Sequence, residues 1–209
     1  MSKIRPFIGT DLVKVLTGIR GSGKSVMLDL IKEELCTANV NNSQFISINF
    51  EDMSNTHLCN AKSLHDEIIR LASKIQGKVY LFFDEIQEVE GWEKCINSFR
   101  VELDCDIYIT GSNAKLLSGK LATYLAGRYV EFVIYPFSFA EFIELYHTIY
   151  PNVNLHECFN KYVTAGGMPY LSNLHYDEAA SRQYLRDLFN SVKLKNIIKR
   201  NSIRDVDLL

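Results

Sequence analysis

Short unbroken apolar runs alternate with stretches in which apolar residues return every three or four positions, and this rhythm persists up to Pro151. A run that is apolar at every position reads as a strand covered on both faces. A three-to-four spacing reads as a helix with one buried stripe. On that reading residues 12–17 form a first strand, followed by a helix that is under way at Val26 and ends near Ala38. Asn41, Asn42 and Ser43 mark a turn, and residues 44–50 form a second strand through Phe45, Ile46 and Ile48. Ser63 with Asp66 three residues on signals a helix start. Leu64, Ile68, Leu71, Ala72 and Ile75 line its apolar face, and Gly77 stops it. Residues 79–83, apolar throughout, form a third strand that delivers Asp84 and Glu85 at its carboxyl end.

Trp92, Cys95, Ile96 and Phe99 make the inner face of the next helix, and residues 107–110 a fourth strand ending in Gly111, Ser112 and Asn113. Residues 116–126 read as helical, and residues 129–134 as a fifth strand stopped by Pro136. Ser138 with Glu141 opens a further helix. Strands alternating with helices predict an α/β fold with a parallel five-stranded sheet, its ligand lying beyond the carboxyl ends of the strands. Past Pro151 the strand pattern stops, leaving helices at residues 155–165 and 178–198 around Gly166, Gly167, Met168 and Pro169. The expected organisation is a core over residues 1–150 and a small helical subdomain over residues 151–209.

One stretch carries the chemistry. Residues 18–25, from Gly18 to Ser25, fit the spacing G-x-x-x-x-G-K-[ST] of a phosphate-binding loop, between a strand and a helix as such a loop requires. Small residues let the backbone curl so that its N–H groups face phosphate oxygens, and the following helix adds the positive end of its dipole. Lys24 reaches the outer phosphates and the Ser25 hydroxyl offers a position on a magnesium ion. The candidate nucleotide-binding residues here are Gly18, Arg20, Gly21, Ser22, Gly23, Lys24, Ser25 and Val26. Arg20 can equally contact phosphate or brace a carboxylate.

An acid at the end of a buried strand can hold the magnesium ion opposite Ser25, and that role falls to Asp84. Glu85 then orients and deprotonates the attacking water. Ser112 is a candidate to hydrogen-bond the γ-phosphate or that water, with Thr110 and Asn113 as further candidates and a plain turn as the alternative. Arg128 is a candidate arginine finger supplied by a neighbouring subunit, or a surface arginine paired to an acid. The acid pair fits activation of water better than a small-molecule kinase, and the chain has no N-K-x-D guanine-reading motif.

Composition narrows the setting. A chain of 209 residues that is 47% hydrophobic can bury a full α/β core, and a net charge of −2 gives no global reason to expect nucleic acid or an anionic membrane as partner. Five cysteines at wide spacings, with no C-x-x-C pair, read as reduced thiols of a cytoplasmic protein. No stretch approaches the length of a membrane span. The five histidines form no ligand cluster. Lys193, Lys195, Lys199, Arg200 and Arg204 make a basic tail that reads as a solvated face or a DNA contact.

The order of these motifs resembles a known family. Residues 14–25, then Phe83-Asp84-Glu85-Ile86-Gln87 with Gly91-Trp92-Glu93, then residues 109–113, Leu125-Ala126-Gly127-Arg128 and residues 136–142 are similar to the bacterial and archaeal AAA-type ATPases that carry a C-terminal domain of unknown function. The resemblance implies the additional-strand class of P-loop NTPases, magnesium and ATP as cofactors, and roles for Asp84, Glu85 and Arg128. It likens Gly167-Met168-Pro169 to the step whose proline, here Pro169, touches the nucleotide base. Two departures stand out: such proteins show two consecutive arginines where Arg20 precedes Gly21, and an acid where Asn196 stands. They also continue past residue 209 through a winged helix, so the chain is expected to be a fragment ending where that begins.

Two functions follow as expectations. The first is a magnesium-dependent ATPase acting as a homo-oligomer. The second is a nucleotide-gated switch for a protein or DNA partner with little turnover.

Overall fold

The computed structural model describes residues 1–111, 125 and 127–193. The chain divides into two compact units: Met1–Gly18 with Lys24–Ile134, and Ile19–Gly23 with the chain from Tyr135 onward.

In the first unit five strands form one sheet: β1 (Val13–Thr17), β2 (Phe45–Asn49), β3 (Val79–Asp84), β4 (Cys105–Thr110) and β5 (Tyr129–Val133). Their order is β2-β3-β4-β1-β5, with every neighbouring pair parallel. β4 lies between the strand that enters the glycine-rich loop and the strand that ends in the acid pair, which is the additional-strand arrangement. Parallel pairing brings Thr17, Asp84 and Thr110 to the same edge of the sheet. Helices α1 (Lys24–Thr37), α2 (Ala61–Ala72) and α3 (Trp92–Glu102) cover it. On β3, Leu81 and Phe83 face a core built with Leu64 and Ile68 of α2 and Ile96 and Phe99 of α3. Tyr80 and Phe82 face the other core, with Leu28, Ile31 and Leu35 of α1. Both faces are buried, so the strand reads as an unbroken apolar run.

The strands fall where the apolar pattern expects them, and two boundaries move for polar reasons. α2 begins at Ala61, because Asn60 rather than Ser63 is the cap: its side-chain oxygen accepts from the Ser63 N–H. β4 begins at Cys105 and includes a fully buried Asp106, whose carboxylate pairs with the buried Lys14 ammonium at 2.5 Å. Asp106 also accepts from the Gly9 N–H at 2.7 Å and the Tyr108 hydroxyl at 2.8 Å. Burial pulls the Lys14 ammonium below its usual pKa, against the opposing field of Asp106.

The second unit contains α4 (Phe139–Ile149), α5 (Leu155–Ala165) and α6 (Glu178–Lys193). Ser138 caps α4 in a reciprocal box with Glu141, as its sequence spacing predicts. Phe142 and Tyr146 of α4 pack with Cys158, Met168, Leu171 and Tyr176. This packing draws α4 into the helical unit, so the division falls at Ile134 and Tyr135 rather than after residue 150. The Phe137 N–H donates to the Gly167 carbonyl at 2.8 Å. A Cβ on Gly167 would lie 2.1 Å from the Phe137 carbonyl oxygen, so only glycine permits this approach. The helix expected over residues 116–126, the end of the last helix and the basic tail from Lys195 lie outside the described residues, as do Ser112, Asn113 and Asn196.

Candidate functional site

The loop over residues 18–23 leaves the carboxyl end of β1 and enters α1 at Lys24. Gly23 has φ +99°, and a Cβ there would meet nothing within 4 Å, so glycine is needed for the backbone angle and not for space. The Ser22 N–H donates to the Ile19 carbonyl at 3.2 Å. Ser22 is buried, and its hydroxyl has no hydrogen-bond partner among the described residues. A buried hydroxyl left in that condition costs about 1–3 kcal/mol, which a ligand able to hydrogen-bond it would recover. Ser25 and Val26 are exposed on the first turn of α1, and Arg20 is exposed in the loop.

Lys24 is 6% exposed. Its ammonium lies 3.4 Å from the Gly18 carbonyl and 3.6 Å from a Glu85 carboxylate oxygen. A buried ammonium is tolerated only beside opposite charge and acceptors, and Glu85 and the loop supply them.

The acid pair follows β3. Asp84 is buried at the end of the strand, and its carboxylate accepts a hydrogen bond from the Thr110 hydroxyl. The same hydroxyl oxygen accepts from the Glu85 N–H at 3.0 Å. Thr110, at the end of the adjacent β4, therefore ties both acids to the sheet. Glu85 adopts the left-handed conformation (φ 54°, ψ 46°), which costs a non-glycine residue about 1–2 kcal/mol and turns its side chain out of the strand's alternation. Its second carboxylate oxygen accepts from the Gln87 amide.

Lys24, Asp84 and Glu85, singled out from the sequence, are thus brought together at one edge of the sheet. The donor set fits a magnesium ion: a carboxylate on a buried strand end and a serine hydroxyl on a helix start, leaving the remaining positions to phosphate and water.

Arg128 does not join this cluster. Its carbonyl accepts from the Val13 N–H at the amino start of β1, the length of a five-residue strand, about 16 Å, from the loop. Its guanidinium lies 3.3 Å from the Asn97 side-chain oxygen. Pro169 belongs to the second unit, where it opens a short 3₁₀ turn after the buried Met168. In that unit a Cβ on Gly21 would stand 3.1 Å from the Tyr184 hydroxyl and 3.2 Å from the Met168 methyl. Gly21, at φ +79°, is therefore fixed by its backbone angle, while the Tyr184 hydroxyl and Met168 methyl would have to give by a few tenths of an ångström to admit a Cβ.

Sequence reasoning ranks Thr110 behind Ser112 and gives Gln87, Met168 and Tyr184 no role. For Thr110 a signal exists, since a hydroxyl ending a buried strand beside the acid-bearing one faces the same edge. For the others only the folded chain supplies the contact. The five cysteines are free thiols; burial pushes those of Cys95 and Cys105 up to about 11, which keeps them unreactive.

The strand order, the strand–loop–helix start and the acids at the carboxyl edge define a P-loop NTPase fold, a class of nucleotide-binding proteins. Within it the chain belongs to the family described as AAA domain, whose model matches residues 10–143. An uncharacterized protein of Haemophilus influenzae is 37% identical over 209 residues, which is 100% of this chain and 52% of that protein. An uncharacterized protein of Methanocaldococcus jannaschii is 31% identical over 203 residues, 93% of this chain and 44% of that protein. The chain spans about half the length of the curated relatives it matches. Among solved structures, that of Rhizobiales Trip13 is similar with a TM-score of 0.53 and 16% identity, over 81% of this chain and 62% of that one. At that identity the likeness is one of fold.

Proposed function

We propose that the chain binds ATP with magnesium and hydrolyses it, the loop holding the triphosphate and the acids at the end of β3 handling metal and water. The observation that carries this reading is the convergence of Lys24 with Glu85 at 3.6 Å, beside Asp84, on the edge where the loop begins. Backbone N–H groups of Gly21 and of residues 23–25 would hold phosphate oxygens, Ser22 would offer its hydroxyl, Lys24 would neutralise the outer phosphates, and Gly18, Arg20 and Val26 would complete the loop's contacts. Ser25 and Asp84 would hold the magnesium ion, which when bound neutralises charge on the β- and γ-phosphates. Glu85 would accept the proton of the attacking water.

Thr110 holds Asp84 and the Glu85 backbone, which is a different role from the one expected of Ser112; Ser112 stays a candidate for the γ-phosphate or the attacking water. Pro169 is proposed to touch the base. Arg128, at the opposite edge of the sheet, would act only on the nucleotide of a second copy, so full turnover would need a homo-oligomer. The helical unit would couple nucleotide to a protein or DNA partner. Among the described residues no helix is long and apolar enough to cross a membrane, and a cytoplasmic location goes with this reading.

Glu85→Gln tests it. ATP affinity should stay within about twofold while phosphate release falls at least about 100-fold, the usual scale of a lost general base. Unchanged release would remove Glu85 from the mechanism. A wild-type chain that binds ATP and releases no phosphate at any protein concentration would leave the nucleotide-gated switch instead.

A further inference from the structure

Gln87 is a polar side chain beside this edge for which the proposed reaction has no use. It sits in the 3₁₀ turn Ile86–Glu88 directly after the acid pair. That turn is anchored: Ile86 is fully buried, the Glu88 N–H donates to the Glu85 carbonyl at 3.1 Å, and the Val89 N–H to the Ile86 carbonyl at 3.0 Å. Gln87 is therefore presented to Glu85 by a fixed piece of backbone. Its amide nitrogen donates to one Glu85 carboxylate oxygen, while the other carboxylate oxygen is the one near Lys24. The amide can stand only this way round, because its oxygen facing a carboxylate would oppose two acceptors.

The other half of the amide is informative. The Gln87 side-chain oxygen is buried with no hydrogen-bond partner among the described residues. Such an orphan costs about 1–3 kcal/mol, and a methionine of similar length would avoid it. Local folding thus gives no reason for an amide at this position. The N–H donated to Glu85 does.

We propose that Gln87 is the positioning residue of the Glu85 carboxylate, which it grips by one oxygen so that the other is presented to water. This rests on the hydrolytic reading above. Once Lys24 engages phosphate, its hold on Glu85 weakens and the Gln87 amide becomes the group that still fixes the carboxylate. With Thr110 holding the Glu85 N–H, the base is then held at its backbone and at one side-chain oxygen.

The test is a set of variants of the whole chain, assayed for phosphate release (kcat and KM) and ATP affinity. Gln87→Met should lower kcat about tenfold with KM and ATP affinity within about twofold, because it misplaces the base without touching the nucleotide. Gln87→Glu, which sets a second carboxylate against Glu85, should lower kcat further. The double variant Glu85→Gln with Gln87→Met should release phosphate no more slowly than Glu85→Gln alone, since Gln87 acts only through Glu85. Wild-type kcat in Gln87→Met, a change confined to KM, or multiplied losses in the double variant would overturn the proposal. If Gln87→Met loses ATP affinity, Gln87→Asn, whose amide is one methylene short, takes its place with the same expected fall in kcat. Glu85→Gln with wild-type turnover would instead remove the hydrolytic reading, whereas inactive Glu85→Gln beside fully active Gln87→Met would remove the role of Gln87 alone.

Discussion

Thr110 has one hydroxyl and serves two neighbours with it, giving its proton to Asp84 and taking one from the Glu85 backbone. Thr110→Val keeps the shape and deletes both bonds, leaving a buried carboxylate and an N–H short of a partner. A loss of about 1–3 kcal/mol in unfolding free energy is expected by chemical denaturation, with kcat falling more than ATP affinity. Thr110→Ser should recover most of both. The Lys14–Asp106 pair makes a second prediction at this scale. Both side chains are fully buried, and Asp106 also accepts from Gly9 and Tyr108. Asp106→Ala strands the Lys14 ammonium and should cost about 3–5 kcal/mol in the same measurement, with no direct effect on the nucleotide edge. Replacing both members by apolar residues should cost much less.

At the scale of elements, the strands were legible because each is buried on both faces, and the α4 start because Ser138 and Glu141 stand three residues apart. Asn60 displaced Ser63 as a cap because either residue can cap a helix, and only the fold decides which N–H groups are left over. Asp106 hid the first two residues of β4, since a buried acid reads as a loop until Lys14 is found beside it. The acid pair was legible as a strand ending. What Glu85 touches was not, because its left-handed backbone departs from the alternation that pattern reading assumes. The α4 cap also predicts a pH dependence. The Ser138 N–H, then its hydroxyl, hold the Glu141 carboxylate below its ordinary pKa. With the folded value below the unfolded one, the stabilisation is present above about pH 4.3 and is lost as pH falls through the folded value. Thermal melting should show Glu141→Gln less stable than wild type at pH 6, by about 0.6–4 °C in Tm at about 0.3–1 kcal/mol, and the two should converge once pH falls below the folded value.

For the molecule as a whole, the topology sets two edges apart. The carboxyl edge gathers Lys24, Asp84, Glu85 and Thr110, and the amino edge carries Arg128 at the start of β5. Under the proposed function an arginine at that edge serves a second copy, so turnover per chain should rise with protein concentration. Arg128→Ala should lose that rise while binding ATP normally, and adding a Glu85→Gln chain, which keeps its own Arg128, should restore phosphate release from Arg128→Ala. The central claim sits at the other edge: the loop and the acids beyond β3 form one triphosphate site. Calorimetric titration of magnesium-ATP into wild type and Lys24→Ala tests it most directly. The account predicts saturable binding to wild type and an affinity at least about 100-fold weaker in the variant, or about 2.7 kcal/mol. Equal affinity in the two proteins would contradict it.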